Sequence, residues 1–368
     1  MSLYENAFSK FELLKRPMRI FSNILDCFVS GGRAGKPFKL KFESSTICNL
    51  KCVMCPLTHN LKRKKGVLKF ENFKKVFDEI KPPYINLTGL GEPLLNKDIF
   101  RIIRYARRKN SYVKLDTNAT LLTDEKIEKL ISADPTFISV SLDGASKEIY
   151  ESIRKGANFE QVINNLKRMI RYRNESGSKT RIHIFFVLQN KNFDELIEII
   201  KLCNEIGADA LNGTVVISFG SAKNKRLREV PLAKIEKLRE DLAKIKREIT
   251  IQLNIESIEQ FLEDPLNFEK GNSKKPCYYI WYNPYITWDG NVLPCDLHAD
   301  NEIVFGNVFR EPFMKIWNNK KARNFRKQII KKRTGICEKC GVDESFILNK
   351  YNLFYKLPTK IFSKRKIR

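Results

Sequence analysis

The sequence predicts an α/β fold built on a parallel sheet, followed by a small, loop-rich C-terminal region. From residue 39 onward, short runs of β-branched and aromatic residues alternate with turns and with stretches whose apolar residues recur every three or four positions. Such strand–helix units normally join one parallel sheet through right-handed crossovers. After residue 265 the sequence becomes polar and rich in turns, with cysteines at short spacings.

Six strands and six helices follow from this periodicity. The strands are predicted at 39–43, 84–88, 113–117, 137–142, 181–188 and 211–218. The helices are predicted at 70–80, 97–109, 123–132, 159–174, 194–206 and 232–249. A further strand at 250–255 and a helix at 256–263 come before the polar stretch 265–276, where we place a domain boundary.

Length and composition are those of an ordinary globular protein. The 368 residues allow one large domain and a smaller one, and the chain is 42% hydrophobic and 30% charged. No apolar run approaches the roughly 20 residues that span a bilayer, and the N-terminal residues do not read as a signal peptide. The nine cysteines include spacings typical of metal sites, which suit a reducing compartment. We therefore expect a cytoplasmic protein.

The formal net charge of +26 is unevenly distributed. Nine basic residues lie within 315–333 and seven within 349–368, and neither stretch contains an acidic residue. This balance favours an anionic partner, whether nucleic acid, phospholipid or a phosphorylated substrate. The alternative is a generally basic protein whose lysines are simply solvated.

Both termini have an amphipathic character. Apolar residues within the first 28 positions are spaced by threes and fours among basic residues, and Pro17 interrupts the pattern. Such a helix either packs on the main domain or lies in a membrane interface. We divide the chain into an N-terminal segment with its linker, a main domain, a C-terminal domain and a basic amphipathic tail, at 1–37, 38–264, 265–345 and 346–368.

Three cysteines after the first strand form the pattern C-x3-C-x2-C, with Cys48, Cys52 and Cys55. Three thiols on one loop can hold a four-iron cluster and leave one iron without a protein ligand, much as catalytic zinc keeps an open position. The alternatives are a zinc site, which would need a fourth ligand such as the nearby His59, or three unrelated buried thiols.

This loop, with Phe42-Glu43 before it and Asn49-Leu50 inside it, resembles the cluster loop of the radical S-adenosylmethionine (radical SAM) superfamily. The resemblance implies a partial (β/α)6 TIM-like barrel with its chemistry at the carboxyl ends of the strands. It also implies that the open iron chelates S-adenosylmethionine, whose cleavage gives a 5'-deoxyadenosyl radical. That radical abstracts hydrogen from an unactivated C–H bond.

Two further strand ends resemble motifs of the same family. The stretch Thr88–Pro93 is similar to the Gly-Gly-Glu-Pro motif that binds the amino group of S-adenosylmethionine, although Leu90 replaces the first glycine. The third strand ends like the family's Thr-Asn-Gly motif, with alanine in place of glycine. The resemblance implies four cofactor contacts at these ends, namely Gly89, Gly91, Glu92 and Asn118.

The ends of the fourth and fifth strands supply other candidates. Ser141 and Asp143 alternate with apolar residues, so both should point the same way and could bond the ribose or the substrate. Gln189 or its neighbour Asn190 is a candidate ligand contact after the fifth strand. His183, within that strand, is more simply a core or surface residue than a base, and the sequence identifies no general base.

The remaining cysteine pattern lies near the C terminus. Asp289-Gly290 between two strand-like runs predicts a hairpin that brings Cys277 and Cys295 together, and the Cys337-x2-Cys340 pair completes a set of four thiols. On chemistry alone, structural zinc fits this set about as well as iron.

The wider C-terminal pattern resembles the SPASM/twitch extension of radical SAM enzymes. The matching elements are Pro-Cys, then W-D-G-x-V-x-P-C, Gly-Asn, Ile-Trp and finally C-x2-C. The full SPASM module uses more cysteines and holds two auxiliary clusters. The resemblance here therefore implies a shortened module with one auxiliary [4Fe-4S] cluster, fully ligated by the four cysteines Cys277, Cys295, Cys337 and Cys340.

We therefore expect a radical SAM enzyme of oxidoreductase type, whose auxiliary cluster aids oxidation or C–C or C–S bond formation. A membrane lipid or lipid-linked saccharide is the first substrate class, because the amphipathic termini could bind an anionic surface at the inner face of the membrane. A ribosomally made peptide or protein is the second, being the commonest role in the resembling family. RNA is the third, although no binding module is visible.

An electron-transfer or scaffold protein is the contrasting class, and it would leave the S-adenosylmethionine motifs unexplained. Radical SAM chemistry requires an external one-electron reductant, for which we expect a ferredoxin or flavodoxin.

Overall fold

The computed structural model describes residues 30–59, 61–216, 230–268 and 277–340, together with residues 22, 23, 25, 26 and 227. Most of the predicted N-terminal amphipathic segment, Cys27, and the basic tail at 346–368 lie outside the described residues. Within this part of the chain, no helix is both long and apolar enough to cross a membrane.

One ten-stranded sheet runs through the described residues. Its strands are β1 (Lys39–Phe42), β2 (Tyr84–Asn86), β3 (Tyr112–Thr117), β4 (Phe137–Ser141), β5 (Arg181–Leu188), β6 (Ala210–Val215), β7 (Gln252–Asn254), β8 (Tyr285–Ile286), β9 (Asn291–Leu293) and β10 (Gly306–Asn307). They are arranged in the order β10-β9-β8-β1-β2-β3-β4-β5-β6-β7. Neighbouring strands from β1 to β7 are parallel. The sheet does not close on itself, so the predicted partial barrel is confirmed.

Helices connect the strands and cover the outside of the sheet. They are α1 (Phe70–Ile80), α2 (Ile99–Arg108), α3 (Asp124–Ser132), α4 (Lys147–Ile153), α5 (Phe159–Glu175), α6 (Leu196–Glu205), α7 (Leu232–Ile245), α8 (Glu256–Glu263), α9 (Pro265–Phe268), α10 (Phe313–Trp317) and α11 (Lys320–Lys331). The predictions of α1, α8 and β5 match residue for residue. The predicted sixth strand extended to 218, but β6 ends at Val215, and residues 217 and 218 lie outside the described part.

The C-terminal region contains more regular structure than the sequence analysis expected. Helix α11 buries Ala322, Phe325 and Ile329, which are spaced by three and four residues. Asn319 caps it by accepting a hydrogen bond from the Ala322 backbone N–H at 2.9 Å. The description of this region as loop-rich is therefore incomplete, because the basic residues of the helix masked its apolar stripe.

The two faces of each parallel strand have different chemistry. On β1, Leu40 and Phe42 are fully buried on the outer face, and the Phe42 ring lies 5.9 Å from that of Phe73 on α1. Lys39 and Lys41 alternate with them and line an internal cavity. The outer face therefore forms the hydrophobic core beneath the helices, and the inner face is polar.

The predicted hairpin at Asp289-Gly290 is confirmed, since β8 and β9 are antiparallel. Gly290 has a φ of +90°, which a glycine adopts at little cost. Strand β8 also pairs in parallel with β1, with Lys41 opposite Tyr285. The C-terminal hairpin therefore extends the main sheet beyond β1, a long-range pairing that the sequence did not predict.

A buried carboxylate joins β1 to this hairpin. Glu43 is fully buried just after β1, and its two oxygens pair with the guanidinium of Arg63, one of them at 2.7 Å. The Tyr285 hydroxyl donates to the same carboxylate at 2.7 Å, and the Trp288 backbone N–H donates at 3.2 Å. Glu43 thus holds together the end of β1, the loop that contains Arg63, and the hairpin.

Part of the basic stretch at 315–333 is internal rather than solvated. The buried Arg326 guanidinium donates to the backbone carbonyls of Ile280, Gly32 and Trp317 at 3.1, 3.1 and 2.8 Å. It also lies 4.0 Å from the centre of the Trp317 ring. Arg333 is buried too and donates to the Cys340 carbonyl at 3.3 Å. These two cations hold the C-terminal region together.

Replacing Arg63 with methionine tests the Glu43 cluster. Because Arg63→Met leaves a buried carboxylate without its counter-charge, we expect the thermal unfolding midpoint to fall by on the order of 5 °C. Restoring neutrality with Glu43→Gln in the same chain should recover part of that loss. Lys65→Met, which changes an exposed residue of the same loop, is the matched control. An effect of Arg63→Met no larger than that of Lys65→Met would contradict this role.

Candidate active site

A cavity of about 380 Å³ extends from the loops after the parallel strands into the space between them. Eight of the residues predicted from the sequence line it: Cys48, Cys52, Cys55, Gly89, Gly91, Glu92, Asn118 and Ser141. Asp143 and Gln189, also predicted as ligand contacts, do not line it. The three-cysteine loop therefore shares one cavity with three of the four predicted strand ends.

The glycines after β2 let the loop that carries them approach the cysteine loop closely. The Gly91 backbone N–H donates to the Ser45 carbonyl at 3.0 Å, and the Glu92 N–H donates to the Ile47 carbonyl at 2.8 Å. A Cβ on Gly91 would lie 2.5 Å from the Ile47 oxygen, and one on Gly89 would lie 2.3 Å from Cγ of Glu43. Glycine is required at both positions because backbone and buried side-chain atoms occupy that space.

Glu92 is held in a fixed orientation. It is 2% exposed, and its carboxylate accepts hydrogen bonds from the Thr117 hydroxyl at 2.7 Å and from the backbone N–H groups of Asn118 and Leu94 at 2.8 and 3.1 Å. Burial raises the pKa of Glu92, and these donors oppose the rise. The result is an ordered acidic group at the junction of two strand ends.

Asn118 links the end of β3 to the cysteine loop. Its amide donates to the Asn49 side-chain oxygen at 3.0 Å and lies 3.9 Å from the Cys48 sulfur. Asn49 in turn donates to the Thr120 hydroxyl at 2.8 Å. Ala119, between Asn118 and Thr120, has a φ of +58°, in the left-handed region that favours glycine. The alanine therefore retains the backbone conformation expected of the glycine that it replaces.

The donor set on the cysteine loop fits an iron–sulfur cluster. Burial raises the pKa of all three thiols, and that of Cys55 reaches about 11, so the charge of Arg154, which acts in the opposite direction, only partly offsets burial. A bound cationic centre would stabilise the thiolates. In the described residues, no group of three or more His, Cys, Asp or Glu side chains is arranged to hold a single metal ion. His59 instead contacts the Val53 carbonyl at 2.6 Å, which gives no support to a zinc site there.

Asp143 lies behind the cavity wall rather than in it. It is fully buried, pairs with the Arg154 guanidinium at 2.7 Å, and accepts from the Val187 N–H at 2.8 Å. Arg154 does line the cavity, with a guanidinium nitrogen 4.0 Å from the Cys52 sulfur. Although burial opposes its charge, the Asp143 carboxylate raises the pKa of Arg154. Arg154 was not predicted from the sequence as a site residue.

Gln189, at the end of β5, and His183, within β5, do not line the cavity either. Gln189 is 5% exposed, and its backbone N–H donates to the Asn192 side chain at 2.8 Å. His183 is buried beside the Asn212 amide at 3.2 Å, and burial lowers its pKa to about 3. His183 is therefore a neutral interior side chain, in line with its interpretation as a core residue.

A group of charged residues on the inner face of the sheet was also not predicted from the sequence. Lys39, Lys41, Lys114 and Asp116 line the cavity from β1 and β3. The signal was the appearance of charged residues at alternate positions of otherwise apolar strands. Period-two alternation places such residues on one face, and a buried charged face indicates a site.

The C-terminal cysteines are close enough to interact electrostatically. Burial raises the pKa of Cys295 well above its usual value, and the neighbouring Cys277 and Cys340 add to the rise. Burial, followed by the effect of Cys340, raises the pKa of Cys337 to about 11. The buried His298 ring nitrogen Nε2 lies 3.7 Å from the Cys337 sulfur. As in the first set, a nearby cation only partly offsets burial, since Arg333 opposes the rise in the pKa of Cys337.

Comparisons with known proteins agree with this geometry. The radical SAM superfamily profile matches residues 42–203, and the profile of the SPASM iron-sulfur cluster-binding domain matches residues 277–341. The AdoMet-dependent heme synthase of Methanosarcina barkeri is 28% identical over 324 residues, covering 82% of this chain and 88% of that protein. The mycofactocin maturase MftC of Mycolicibacterium smegmatis is 30% identical over 175 residues, covering 47% of this chain and 43% of the relative.

A solved structure shares the fold. Streptococcus suis SuiB bound to S-adenosylmethionine superposes with a TM-score of 0.65 at 20% identity, over 87% of this chain and 76% of SuiB. The chain therefore belongs to the radical SAM superfamily, as an enzyme that uses a [4Fe-4S] cluster and S-adenosylmethionine and carries a C-terminal SPASM domain that binds an auxiliary iron–sulfur cluster.

Proposed function

We propose that this enzyme oxidises or cross-links a peptide or protein by removing hydrogen from an unactivated C–H bond. The observation that supports a two-cluster reaction is the lining of this cavity. Cys48, Cys52 and Cys55 line it, and so does Asp296, the residue after Cys295. A substrate in this cavity would lie between the two cysteine sets.

The first cysteine set would hold the cluster that binds S-adenosylmethionine. When bound, the cluster and S-adenosylmethionine supply the radical that abstracts hydrogen. The fixed Glu92 carboxylate would receive the ammonium group, next to the backbone of Gly89 and Gly91. Asn118 and Ser141 would offer hydrogen bonds to hydroxyl or carboxylate groups from the neighbouring strand ends.

We leave Asp143 and Gln189 out of the proposed ligand contacts. The Asp143 carboxylate is engaged by Arg154 and by the Val187 N–H, so its proposed role is to position Arg154 beside Cys52. Gln189 lies outside the cavity lining. Arg154 replaces them in the proposed site, where its charge would stabilise the Cys52 thiolate.

The second cysteine set would hold one auxiliary cluster, with Cys277, Cys295, Cys337 and Cys340 as its ligands. His298 and Arg333 lie at its edge, since Arg333 lowers the pKa of Cys337. Four protein ligands would leave no open iron for substrate. An electron acceptor or structural role therefore suits this cluster better than substrate binding.

A peptide substrate has more support than a lipid or RNA. MftC is named a maturase, and SuiB has been solved with a precursor peptide, SuiA. The lipid hypothesis rested on terminal segments outside the described residues, and none of the relatives named above is described as acting on a lipid. The RNA hypothesis rested on basic charge, part of which belongs to the buried Arg326 and Arg333.

A tetrapyrrole substrate is the second candidate. The observation that favours a tetrapyrrole is the length of the sequence match. The match to AdoMet-dependent heme synthase extends over 82% of this chain, whereas the match to MftC extends over 47%. Both candidates require hydrogen abstraction followed by loss of an electron from the substrate, so they share the two-cluster arrangement.

An external reductant of ferredoxin or flavodoxin type would supply the electron that starts the reaction. Such proteins are acidic partners for a basic surface. Exposed lysines on α11, among them Lys320, Lys321 and Lys327, would provide such a surface near the second cysteine set.

The cluster assignment predicts the iron content of matched variants. Anaerobically reconstituted protein should contain about eight irons and form 5'-deoxyadenosine when reduced. The triple change of Cys48, Cys52 and Cys55 to alanine should leave about four irons and no 5'-deoxyadenosine. Changing Cys295 and Cys337 to alanine should also leave about four, with 5'-deoxyadenosine still formed. Iron analysis and chromatography measure both.

The control for this experiment is Cys203→Ala, a fully buried cysteine outside both sets, which should retain the full iron content. Zinc in the purified wild-type protein, together with only four irons, would contradict the auxiliary cluster. If changing only Cys295 and Cys337 removed all the iron, the prediction of two independent sites would be contradicted.

The substrate class can be read from the fate of the abstracted hydrogen. We expect the reduced enzyme to transfer deuterium into 5'-deoxyadenosine when given the peptide fraction of host cells grown in deuterated medium. Lipid, tetrapyrrole and RNA fractions of the same cells are the comparison arms, and mass spectrometry of 5'-deoxyadenosine is the measurement. Transfer from the tetrapyrrole fraction alone would favour the second candidate, and transfer from the lipid or RNA fraction alone would reject both.

A further inference from the structure

Two lysines lie on the inner face of the sheet and line the same cavity as the cysteine loop. Lys41 on β1 and Lys114 on β3 both line the cavity, with only 17% and 7% of their side chains exposed. The Lys41 ammonium is 2.9 Å from a carboxylate oxygen of Asp296, and that of Lys114 is 2.8 Å from one of Asp116. Lysine is seldom buried to this degree in a protein interior.

Stability alone does not account for this arrangement. Buried ion pairs are often no better for stability than well-packed apolar side chains, because two charges must be desolvated. The two lysines also repel each other, since the charge of Lys41, after the larger effect of burial, contributes to lowering the pKa of Lys114. Charged groups kept together beside a cavity at such a cost are characteristic of binding sites.

The Lys41 ammonium has capacity for an anion. An ammonium carries three N–H donors, and its contacts in the described residues are the Asp296 carboxylate and the Tyr285 ring at 5.9 Å. Lys39, one inward position earlier on β1, lines the same part of the cavity. Lys39, Lys41 and Lys114 thus bring three ammonium groups to this part of the cavity, which suits an anionic ligand group.

The position of Lys41 also indicates how a bound substrate would be oriented. Its partner Asp296 directly follows Cys295 in the sequence. Cys48, Cys52 and Cys55 line the same cavity. A group bound at Lys41 would therefore lie on the side of the C-terminal cysteines, with the rest of the molecule extending toward the cysteine loop.

We propose that Lys41 and Lys114 bind a carboxylate of the substrate and so anchor it between the two cysteine sets. This inference rests on the proposed function and adds the chemical class of the substrate, which carries at least one carboxylate. The carboxylate could come from an acidic peptide side chain or from a propionate of a tetrapyrrole. Both sources present the same group to the lysines, and the experiment below distinguishes them.

The test is equilibrium binding to the reconstituted enzyme with S-adenosylmethionine and without reductant, so that no turnover is needed. One pair of probes is a pool of hexapeptides containing Asp and Glu and its twin with Asn and Gln at the same positions. The other pair is hemin and hemin dimethyl ester. We expect the acidic member of one pair to bind about tenfold more tightly than its neutral twin, a difference of about 1.4 kcal/mol.

Matched variants assign that preference to the lysines. Lys41→Gln should lower the affinity for the acidic probe to that of its neutral twin, and Lys114→Gln should act in the same direction. Lys41→Arg keeps the charge and should retain most of the preference. Lys237→Gln, an exposed lysine on α7, should change nothing. Iron content and the thermal midpoint establish that each variant is folded. If Lys41→Gln does not fold, Lys114→Gln provides the test.

The outcomes separate this inference from the proposed function. An acid preference within the peptide pair supports both, and one confined to hemin supports the carboxylate site while rejecting the peptide substrate. Equal binding within both pairs, with peptides bound, would overturn the carboxylate site and leave peptide modification standing. A preference that survives the loss of both lysines, or no binding by any of the four probes, would also overturn the site.

Discussion

The buried carboxylate of Glu43 is the interaction on which the relative placement of the two cysteine regions depends. It lies between the end of β1 and the cysteine loop, and it bonds to Arg63, Tyr285 and the Trp288 backbone. Tyr285 and Trp288 belong to the hairpin that leads to Cys295. Because one fully buried group satisfies donors from the Arg63 loop and from the hairpin, neither segment can shift relative to β1 without leaving a charge or a donor unpaired.

A second set of polar contacts fixes the cysteine loop from the other side. Backbone hydrogen bonds from Gly91 and Glu92 reach Ser45 and Ile47, and Asn118 reaches Asn49. The groups proposed to bind S-adenosylmethionine are thus also those that hold the loop in place. Glycine is therefore required at position 91 even without a ligand, because a Cβ there would collide with the Ile47 backbone.

Local pattern predicted much of the fold and the identity of the cysteine sets. The β5 strand and the α8 helix were predicted to the residue because period-two and period-3.6 patterns are local signals, and the Asp289-Gly290 hairpin is a local turn preference. The pairing of β8 with β1 joins residues far apart in sequence, so no local pattern encodes it. Alternation also placed Asp143 at a strand end, but its ion pair with Arg154 depends on the fold and is not encoded by a local pattern.

The net charge of +26 is the feature whose interpretation the structure changes most. From the sequence, this charge suggested an anionic surface as partner. Arg326 and Arg333 are instead buried and stabilise the C-terminal region. Lys41 and Lys114 face the cavity. Inside a cavity of low dielectric, one lysine discriminates between substrates far more strongly than one on the surface. In our proposal, charge selects and orients the substrate from the sheet, while the cysteine loop supplies radical chemistry that is itself indifferent to charge.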